Sequence, residues 1–494
     1  MKPLPVSLPA DLAGVRIHLV GAKGTGVCAL AELLVGAGAA VSGSDVEDIF
    51  YTDEVLAAIG VPVHPFSQEN VGRRLDLVIH SAAYRPDTHP EIIRAHELGI
   101  PVMTYPEALG SLSSSRDSSG ICGVHGKTTT TAMAGILARS LRLPAAVLVG
   151  SAVGAFGGRS TLTLGGELLI AETCEYRRHF LCYKPRRIVL TSVEPDHQDY
   201  YPDYESIALA FVEYLSLLPS RGIVVYCSDD PGATDVWNRA SLVRPDLRGI
   251  PYGFQADGPF GLESYRVKDE RGVFGLRGLE AEWRVRIPGR HIALDATAAI
   301  ALCAAIIADR NGTLDIEAAL GREELASMAA ALESFTGSRR RSEVLGEAGG
   351  VLFMDDYGHH PTAIRKTLAG LREFYPGRRL VVDFMSHTCS RTRALLDDFA
   401  TSFGDADLAV LHRIYPSARE APDPGMTGRV LFDRAVEAGA NAAYFEEPLD
   451  AFPSLNEGLR PGDLFVTMGA GDNWRLGKAL FEAFSGADPT KGSR

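Results

Sequence analysis

The stretch from Gly120 to Thr131, GICGVHGKTTTT, combines residue types that can hold a polyphosphate. Gly123 and Gly126 let successive backbone N–H groups point at one anion with no Cβ in the way. A helix that starts here adds the positive end of its dipole. His125, Lys127, Thr128 and Thr129 complete the loop, with Lys127 placed to reach the β- and γ-phosphates and the Thr128 hydroxyl placed to ligate Mg²⁺. The glycine that usually stands five residues before the GK glycine is replaced by Ile121. As a loop residue, Lys127 is expected to be exposed and to contribute little to packing. The competing reading is a Gly/Thr-rich turn that happens to contain a lysine.

A second group of residues follows two apolar runs. Glu172 and Glu175 come just after Leu168–Ala171, and Glu194, Asp196, His197 and Asp199 just after Arg187–Val193. Sites in open α/β sheets form at the carboxyl ends of strands. Carboxylates and a histidine beside a phosphate loop suit Mg²⁺ ligation against triphosphate charge. Taken singly, each acid is equally well read as a solvated loop residue.

The elements that must position these groups alternate strand and helix along the whole chain. Val15–Val20 reads as a buried strand, followed by a Gly21–Gly26 loop, an apolar helix Val27–Val35 and a strand ending at Asp45. The glycine spacing, GxxGxG, departs from the dinucleotide GxGxxG, so a nucleotide diphosphate competes there with a nicotinamide and with a ligand-free turn. Strands at Leu75–Ser81 and Val102–Tyr105 flank a helix Pro90–Leu98, and the small polar text Ser111–Ser119 reads as a linker. Ala145–Gly150, Leu168–Glu172 and Arg187–Val193 have the apolar character of parallel strands. Tyr265–Ile287 alternates like hairpins, and Pro288–His291 precedes a long apolar helix, Ala293–Ala308. His291 at that helix start is read first as a structural residue. Gly350–Asp355, Leu380–Phe384, Leu408–Ile414 and Asp463–Met468 restart the alternation, each followed by a polar cluster. His359 and His360 in the first of these clusters are equally well read as turn residues.

Composition bounds the function. The 494 residues suit two or three domains, and 46% apolar residues suffice for several cores. A net charge of −13 argues against broad nucleic-acid binding. Seven scattered cysteines without a CxxC pair point to reduced thiols. The sequence shows no unbroken apolar run of bilayer length and no apolar signal core, so a cytoplasmic protein without membrane insertion is expected.

In order, HLVGAKGTG, AELL, VSGSD, GVHGKTTTT, AETCEY, VEPDHQDYY, PGRH, FTGSRRR, DDYGHHPT, SRTR, IYPSARE and TMGAGD resemble the Mur ligases, ATP-dependent amide-forming enzymes of peptidoglycan precursor synthesis. The pattern is most similar to the branch that joins L-alanine to UDP-N-acetylmuramate. The resemblance spans nearly all of the chain. It implies an α/β protein of three domains: a Rossmann-like UDP-sugar-binding domain (1–118), a central P-loop ATPase-type domain (119–334) and a C-terminal Rossmann-like α/β domain (335–494) that binds the amino acid. It also implies ATP and Mg²⁺ as cofactors and a monomer or homodimer.

By this resemblance Thr128 and Glu172 hold one Mg²⁺ and His197 a second. Lys127, Glu172, His197, His359 and Arg391 are the catalytic set, with His359 and Arg391 near the amino acid and the substrate carboxylate. Gly123, His125, Gly126, Thr128, Thr129, His291, Asp295, Arg341 and Asp356 contact ATP, with Arg341 on phosphate and Asp356 on ribose. Gly24, Thr25, Gly26, Ser44, Asp45 and Ser81 hold the UDP-sugar. Three positions depart from the family pattern. Ile292 and Asp295 replace two asparagines, and Asp295 is expected to accept a hydrogen bond from adenine without donating one. Thr388 replaces an arginine that would anchor a carboxylate. No lysine lies between Gln198 and Arg221, consistent with the alanine-adding branch, which is expected to work without the carbamylated lysine of related ligases. Alternatives are a ligase that recycles murein peptide onto the same sugar nucleotide, a non-catalytic nucleotide-binding relative and, distantly, a nicotinamide dehydrogenase.

Overall fold

Short β-branched runs bounded by glycines and acids form parallel strands in a computed structural model, which describes residues 7–9, 11–415 and 423–486. Part of the IYPSARE text, residues 416–420, lies outside the described residues. The first sheet is all parallel, in the order Val63–Pro65, Ala40–Asp45, Arg16–Val20, Leu77–His80, Val102–Thr104. Strand order reverses between Arg16–Val20 and Leu77–His80. That places the Gly21–Gly26 loop, the start of the helix Thr25–Gly36 and Ser81 at a topological switch point, where such sheets bind ligands.

The expected linker at Ser111–Ser119 is instead the end of a helix, Tyr105–Ser114, and the start of a strand, Asp117–Cys122. Most of its serines bond locally, whereas the buried Ser119 hydroxyl has no hydrogen-bond partner among the described residues. Ser113 and Ser114 donate to the carbonyls of Gly110 and Ser111, and Ser118 to that of Ser113. Polar text of small side chains is thus compatible with burial, and Ser113, Ser118 and Ser119 are buried.

Asp117–Cys122 is the centre of a seven-stranded sheet ordered Arg248–Tyr252, Ile223–Cys227, Arg187–Leu190, Asp117–Cys122, Leu168–Glu172, Ala145–Val153, Arg159–Thr163. Only the last strand is antiparallel. The phosphate loop therefore leaves the sheet between the strand that ends at Glu172 and the one that leads to Thr191–His197. Tyr265–Ile287 forms the expected antiparallel strands, as a three-stranded meander. Contrary to the expectation of no apolar run of bilayer length, an 18-residue window of helix Arg290–Arg310 has a mean hydropathy of 2.0, long and apolar enough by composition to cross a bilayer. Yet 83% of its apolar window is buried within the protein, where Cys303 Sγ lies 3.9 Å from the Ala134 carbonyl of the phosphate-loop helix Lys127–Ser140.

The six-stranded last sheet is ordered Glu343–Ala348, Val351–Asp356, Asp463–Gly469, Arg379–Met385, Leu408–Leu411, Ala442–Tyr444, with the first strand antiparallel. The first two units share one continuous apolar core running from Leu8 to Phe335, whereas the last unit has its own separate clusters. The last unit therefore meets the phosphate loop largely through polar side chains. None of the seven cysteines is in a disulfide.

Candidate active site

The phosphate loop is built on two glycines that no other residue can replace without strain. Gly123 has φ +134°, and an added Cβ would lie 2.1 Å from Thr191 Oγ1. Gly126 has φ +78° and precedes helix Lys127–Ser140, and a Cβ there would lie 2.4 Å from Asp295 Oδ1. Ser192 braces the loop by accepting from the backbone N–H of His125 at 2.9 Å and, through its carbonyl, from Val124 N–H at 2.9 Å.

Lys127 is not the exposed side chain expected from the sequence. Its ammonium curls back over the loop, donating to Glu175 Oε2 at 3.0 Å, to the Val124 carbonyl at 3.2 Å and to the Gly123 carbonyl. The Lys127 and Glu175 side chains are 13% and 2% exposed. Burial alone would raise the Glu175 carboxyl, but the Lys127 charge and the His197 hydrogen bond outweigh it, and the net shift is downward. Glu175 thus remains an anion holding the lysine.

Glu172 and His197 approach the loop from the neighbouring strand ends. Thr128 Oγ1 donates to Glu172 Oε1 at 3.2 Å, while Gly150 N–H donates to Glu172 Oε2 at 2.8 Å. His197 Nε2 lies 3.3 Å from Glu175 Oε1 and 3.8 Å from Asp196 Oδ2. His197 has φ +54°, an uncommon conformation for a non-glycine residue and one that clusters at functional sites.

The last unit faces this loop across a cleft of about 590 Å³, lined by residues from Val124–Thr129, Glu175–Tyr176, Asp196–His197, His291–Asp295, Arg341, Asp356–His360, Lys366 and Arg391 among others. Asp356 is braced, accepting from Ser342 N–H at 2.6 Å and Gly358 N–H at 2.7 Å. Arg341 lies over the Tyr357 ring, 5.1 Å from its centroid. His359 donates through Nδ1 to the Tyr357 carbonyl at 2.8 Å, so its Nε2 carries the lone pair, and burial holds its pKa well below the ordinary value. Arg391 is clasped by Asp196, which accepts from Nε at 2.9 Å and from Nη2 at 2.8 Å, with both residues buried. The acids Glu194 and Asp196, read as Mg²⁺ ligands or as solvated loop residues, contact the last unit directly. Thr362 Oγ1 donates to Glu194 Oε2 at 2.8 Å. Lys366, one helical turn beyond Thr362, and Tyr357 also line the cleft and were missed from the sequence. The i, i+4 spacing of Thr362 and Lys366 carried the signal.

Asp295 behaves differently from the expectation of an acceptor only. Its Oδ1 accepts from Thr130 Oγ1 at 3.3 Å. Burial pushes its carboxyl up to about 8, against the Thr130 hydroxyl and the more distant Lys366 and Arg341. A carboxyl raised in this way favours the protonated form, which can donate as well as accept, as asparagine does. His291, read first as structural, lines the cleft, and burial pushes its pKa down to about 3. A raised folded-state pKa means that the folded protein binds a proton that the unfolded chain releases. Stability is therefore lost as pH rises from the ordinary carboxyl range to about 8, and no further above it. Asp295→Asn removes this slope. The variant's melting temperature should exceed that of the parent by a margin that widens between about pH 5 and about pH 8. A constant margin across that range would mean an ionised Asp295.

Gly24, Thr25, Gly26, Ser44, Asp45 and Ser81 gather at the carboxyl edge of the first sheet and do not line the cleft. Asp45 Oδ2 accepts from Lys23 N–H at 2.7 Å, and Thr25 Oγ1 lies 3.1 Å from Tyr51 Oη. The Ser44 hydroxyl is fully buried and donates to Glu91, which ties it to the interior. Thr388 has φ +68° and leads into the helix Cys389–Ala394, which carries Arg391.

Comparison with known proteins covers the same architecture. Residues 16–117 match the Mur ligase family catalytic domain, 121–303 the Mur ligase middle domain and 340–471 the Mur ligase glutamate ligase domain. The chain is 52% identical over 479 residues to a UDP-N-acetylmuramate–L-alanine ligase of Treponema pallidum, covering 97% of this chain and 98% of the relative. The crystal structure of a UDP-N-acetylmuramate-alanine ligase from Thermotoga maritima superposes with a TM-score of 0.73 at 24% identity, over 95% of this chain and 99% of that one. A murein peptide ligase from Psychrobacter arcticus shares the fold with a TM-score of 0.66 at 22% identity, over 96% and 100%.

Proposed function

The chain belongs to the Mur ligase family, and we propose on that premise that it joins L-alanine to the lactyl carboxylate of UDP-N-acetylmuramate at the expense of ATP. The observation that carries this reading is the cleft between the phosphate loop and the last unit, combined with 52% identity over nearly the full length to an alanine-adding ligase. The murein peptide ligase similarity, at 22% identity, shows the fold alone. The reading divides the chain into a UDP-sugar domain (1–118), an ATP domain (119–334) and an amino-acid domain (335–494).

In this reaction the carboxylate attacks the γ-phosphorus of ATP, giving an acyl phosphate and ADP. The alanine amine then attacks the acyl carbon, and phosphate leaves. The protein's part is positioning and charge. The loop amides and Lys127 hold the β- and γ-phosphates once Glu175 yields the ammonium. Neutral His291 and protonated Asp295 present hydrogen-bonding groups to the base. Arg341 and Asp356 lie where phosphate and ribose would pass, and Gly24–Gly26, Asp45 and Ser81 form the switch-point cradle for the UDP-sugar. Arg391, engaged by Asp196 through Nε and Nη2 and by His387 Nδ1 through Nη1 at 3.4 Å, brings its positive charge to the cleft wall for a carboxylate, and the Nε2 lone pair of His359 suits an incoming ammonium.

The donor chemistry fits divalent cations at two places. Thr128 and Glu172 present hydroxyl and carboxylate oxygens 3.2 Å apart, and the His197 nitrogen converges with Glu175 and Asp196. Bound there, Mg²⁺ would offset charge on the phosphates. His197→Ala should raise the Mg²⁺ concentration needed for half-maximal turnover, and an unchanged Mg²⁺ titration would return His197 to a purely structural role. The whole reading is tested with ATP, Mg²⁺, UDP-N-acetylmuramate and single amino acids. Substrate-dependent ADP release with L-alanine is expected. Its absence with L-alanine, glycine and L-serine alike would overturn the reading.

A further inference from the structure

Beside the oxygen sites proposed for Mg²⁺, one cluster that includes His125 of the phosphate loop has metal-ligand chemistry of its own. His125 from the phosphate loop, Glu194 from beyond strand Arg187–Leu190 and His360 from the start of helix Pro361–Phe374 bring their ligand atoms within 4.8 Å of one another. We infer that these three side chains form a site for a borderline divalent cation of the zinc class, which would bolt the last unit onto the phosphate loop.

The donor set is two imidazoles and one carboxylate. That set suits zinc and its neighbours and suits Mg²⁺ poorly, because Mg²⁺ favours oxygen ligands. Glu194 Oε1 lies 3.7 Å from His360 Nδ1, close to the roughly 3.4 Å between ligand atoms around a tetrahedral zinc. His125 Nε2 is hydrogen-bonded to the same oxygen, so a cation inserted there displaces that shared proton, which leaves to solvent.

The outer contacts that orient metal ligands are already in place. His360 Nε2 donates to the Pro195 carbonyl at 3.3 Å, which fixes the tautomer, and Nδ1, on the Glu194 side, accepts from Thr362 N–H at 3.3 Å, a cap contact that a bound cation would replace. Thr362 Oγ1 holds the second Glu194 oxygen at 2.8 Å, and Ser192 holds the His125 backbone at 2.9 Å. Burial outweighs the nearby acids and holds His360 below its ordinary pKa, so the ligand form of the imidazole is favoured. Glu194 is pushed down to about 2, because His125, His360 and Thr362 outweigh its burial. His125 and His360 both line the cleft, so further coordination positions open onto it. Two ligands belong to the central unit and one to the last unit. The last unit has apolar clusters separate from the core of the rest, so the ion would act where the two meet largely through polar side chains.

The test is a Co²⁺ titration of the full chain without nucleotide, read by visible absorption, followed by displacement with Zn²⁺. The intact protein should bind Co²⁺ with a tetrahedral-type spectrum that Zn²⁺ abolishes. His360→Asn keeps a side-chain oxygen to cap the helix, and Glu194→Gln keeps the volume of the carboxylate. Each should weaken Co²⁺ binding by on the order of tenfold or more. Glu172→Gln, at the separate oxygen site, should leave the spectrum unchanged. No Co²⁺ spectrum in the intact protein would overturn the inference. So would a spectrum lost in Glu172→Gln but kept in His360→Asn and Glu194→Gln.

Discussion

Lys127→Ala should abolish substrate-dependent ADP release and also destabilise the protein. The ammonium is the one side-chain cation on the phosphate loop itself, and its loss should lower turnover by on the order of 10³-fold. The second effect follows from Glu175. That side chain is 2% exposed and paired with Lys127, and removing one partner of a buried pair leaves an uncompensated charge. The cost is about 3 kcal/mol, moderated by His197, which stays within 3.3 Å of Glu175. Denaturant unfolding of the nucleotide-free protein reads this term separately from turnover. Lys127→Ala combined with Glu175→Gln should recover most of the stability and none of the activity. A single variant with near-normal turnover would remove the loop lysine from the mechanism. One with unchanged unfolding would remove the ion pair from the stability argument.

Arg391→Ala should lower turnover strongly while leaving ATP affinity nearly unchanged. Arg391 is carried by the last unit and Asp196 by the central one, and both are buried. Asp196 is held far below the ordinary carboxyl range because the Arg391 charge and the nearby histidines outweigh its burial. Without the guanidinium, the closed arrangement must bury an unpaired carboxylate, at about 3–5 kcal/mol. The polypeptide can avoid this by opening the cleft, since the last unit has its own core. Nucleotide would still bind the phosphate loop, but the groups on the two sides of the cleft would rarely meet. Calorimetry for ATP and steady-state assays for turnover separate the two. Arg391→Lys should rescue poorly, because an ammonium cannot reproduce the two-nitrogen contact with Asp196 Oδ1. Equal losses in ATP affinity and turnover would place Arg391 in the nucleotide site instead.

Much of the architecture was legible because strand and helix signals are local. The runs Leu168–Glu172, Arg187–Val193 and Asp463–Met468 are apolar and short, and each forms a strand in a parallel neighbourhood. The text around Ser111–Ser119 misled because hydroxyls that bond to nearby carbonyls can be buried without an external partner, which composition does not reveal. The helix Arg290–Arg310 shows the converse. Its composition is that of a membrane span, and only its packing against helix Lys127–Ser140 shows it to be an interior element.

The sequence by itself determined which chemistry was present: a glycine loop with lysine and threonine, acids and histidines after strands, and the order of these motifs along the chain. These are properties of residue type and near spacing, and both are written in the primary structure. Only the tertiary structure decided which groups face one another. It set Lys127 on Glu175, Arg391 on Asp196, and His360 and Thr362 beside Glu194, pairs separated by between 48 and 195 residues. It also raised the Asp295 carboxyl through burial, because a pKa depends on the solvent and charges around a carboxyl. Those surroundings come from parts of the chain that sequence spacing cannot bring together.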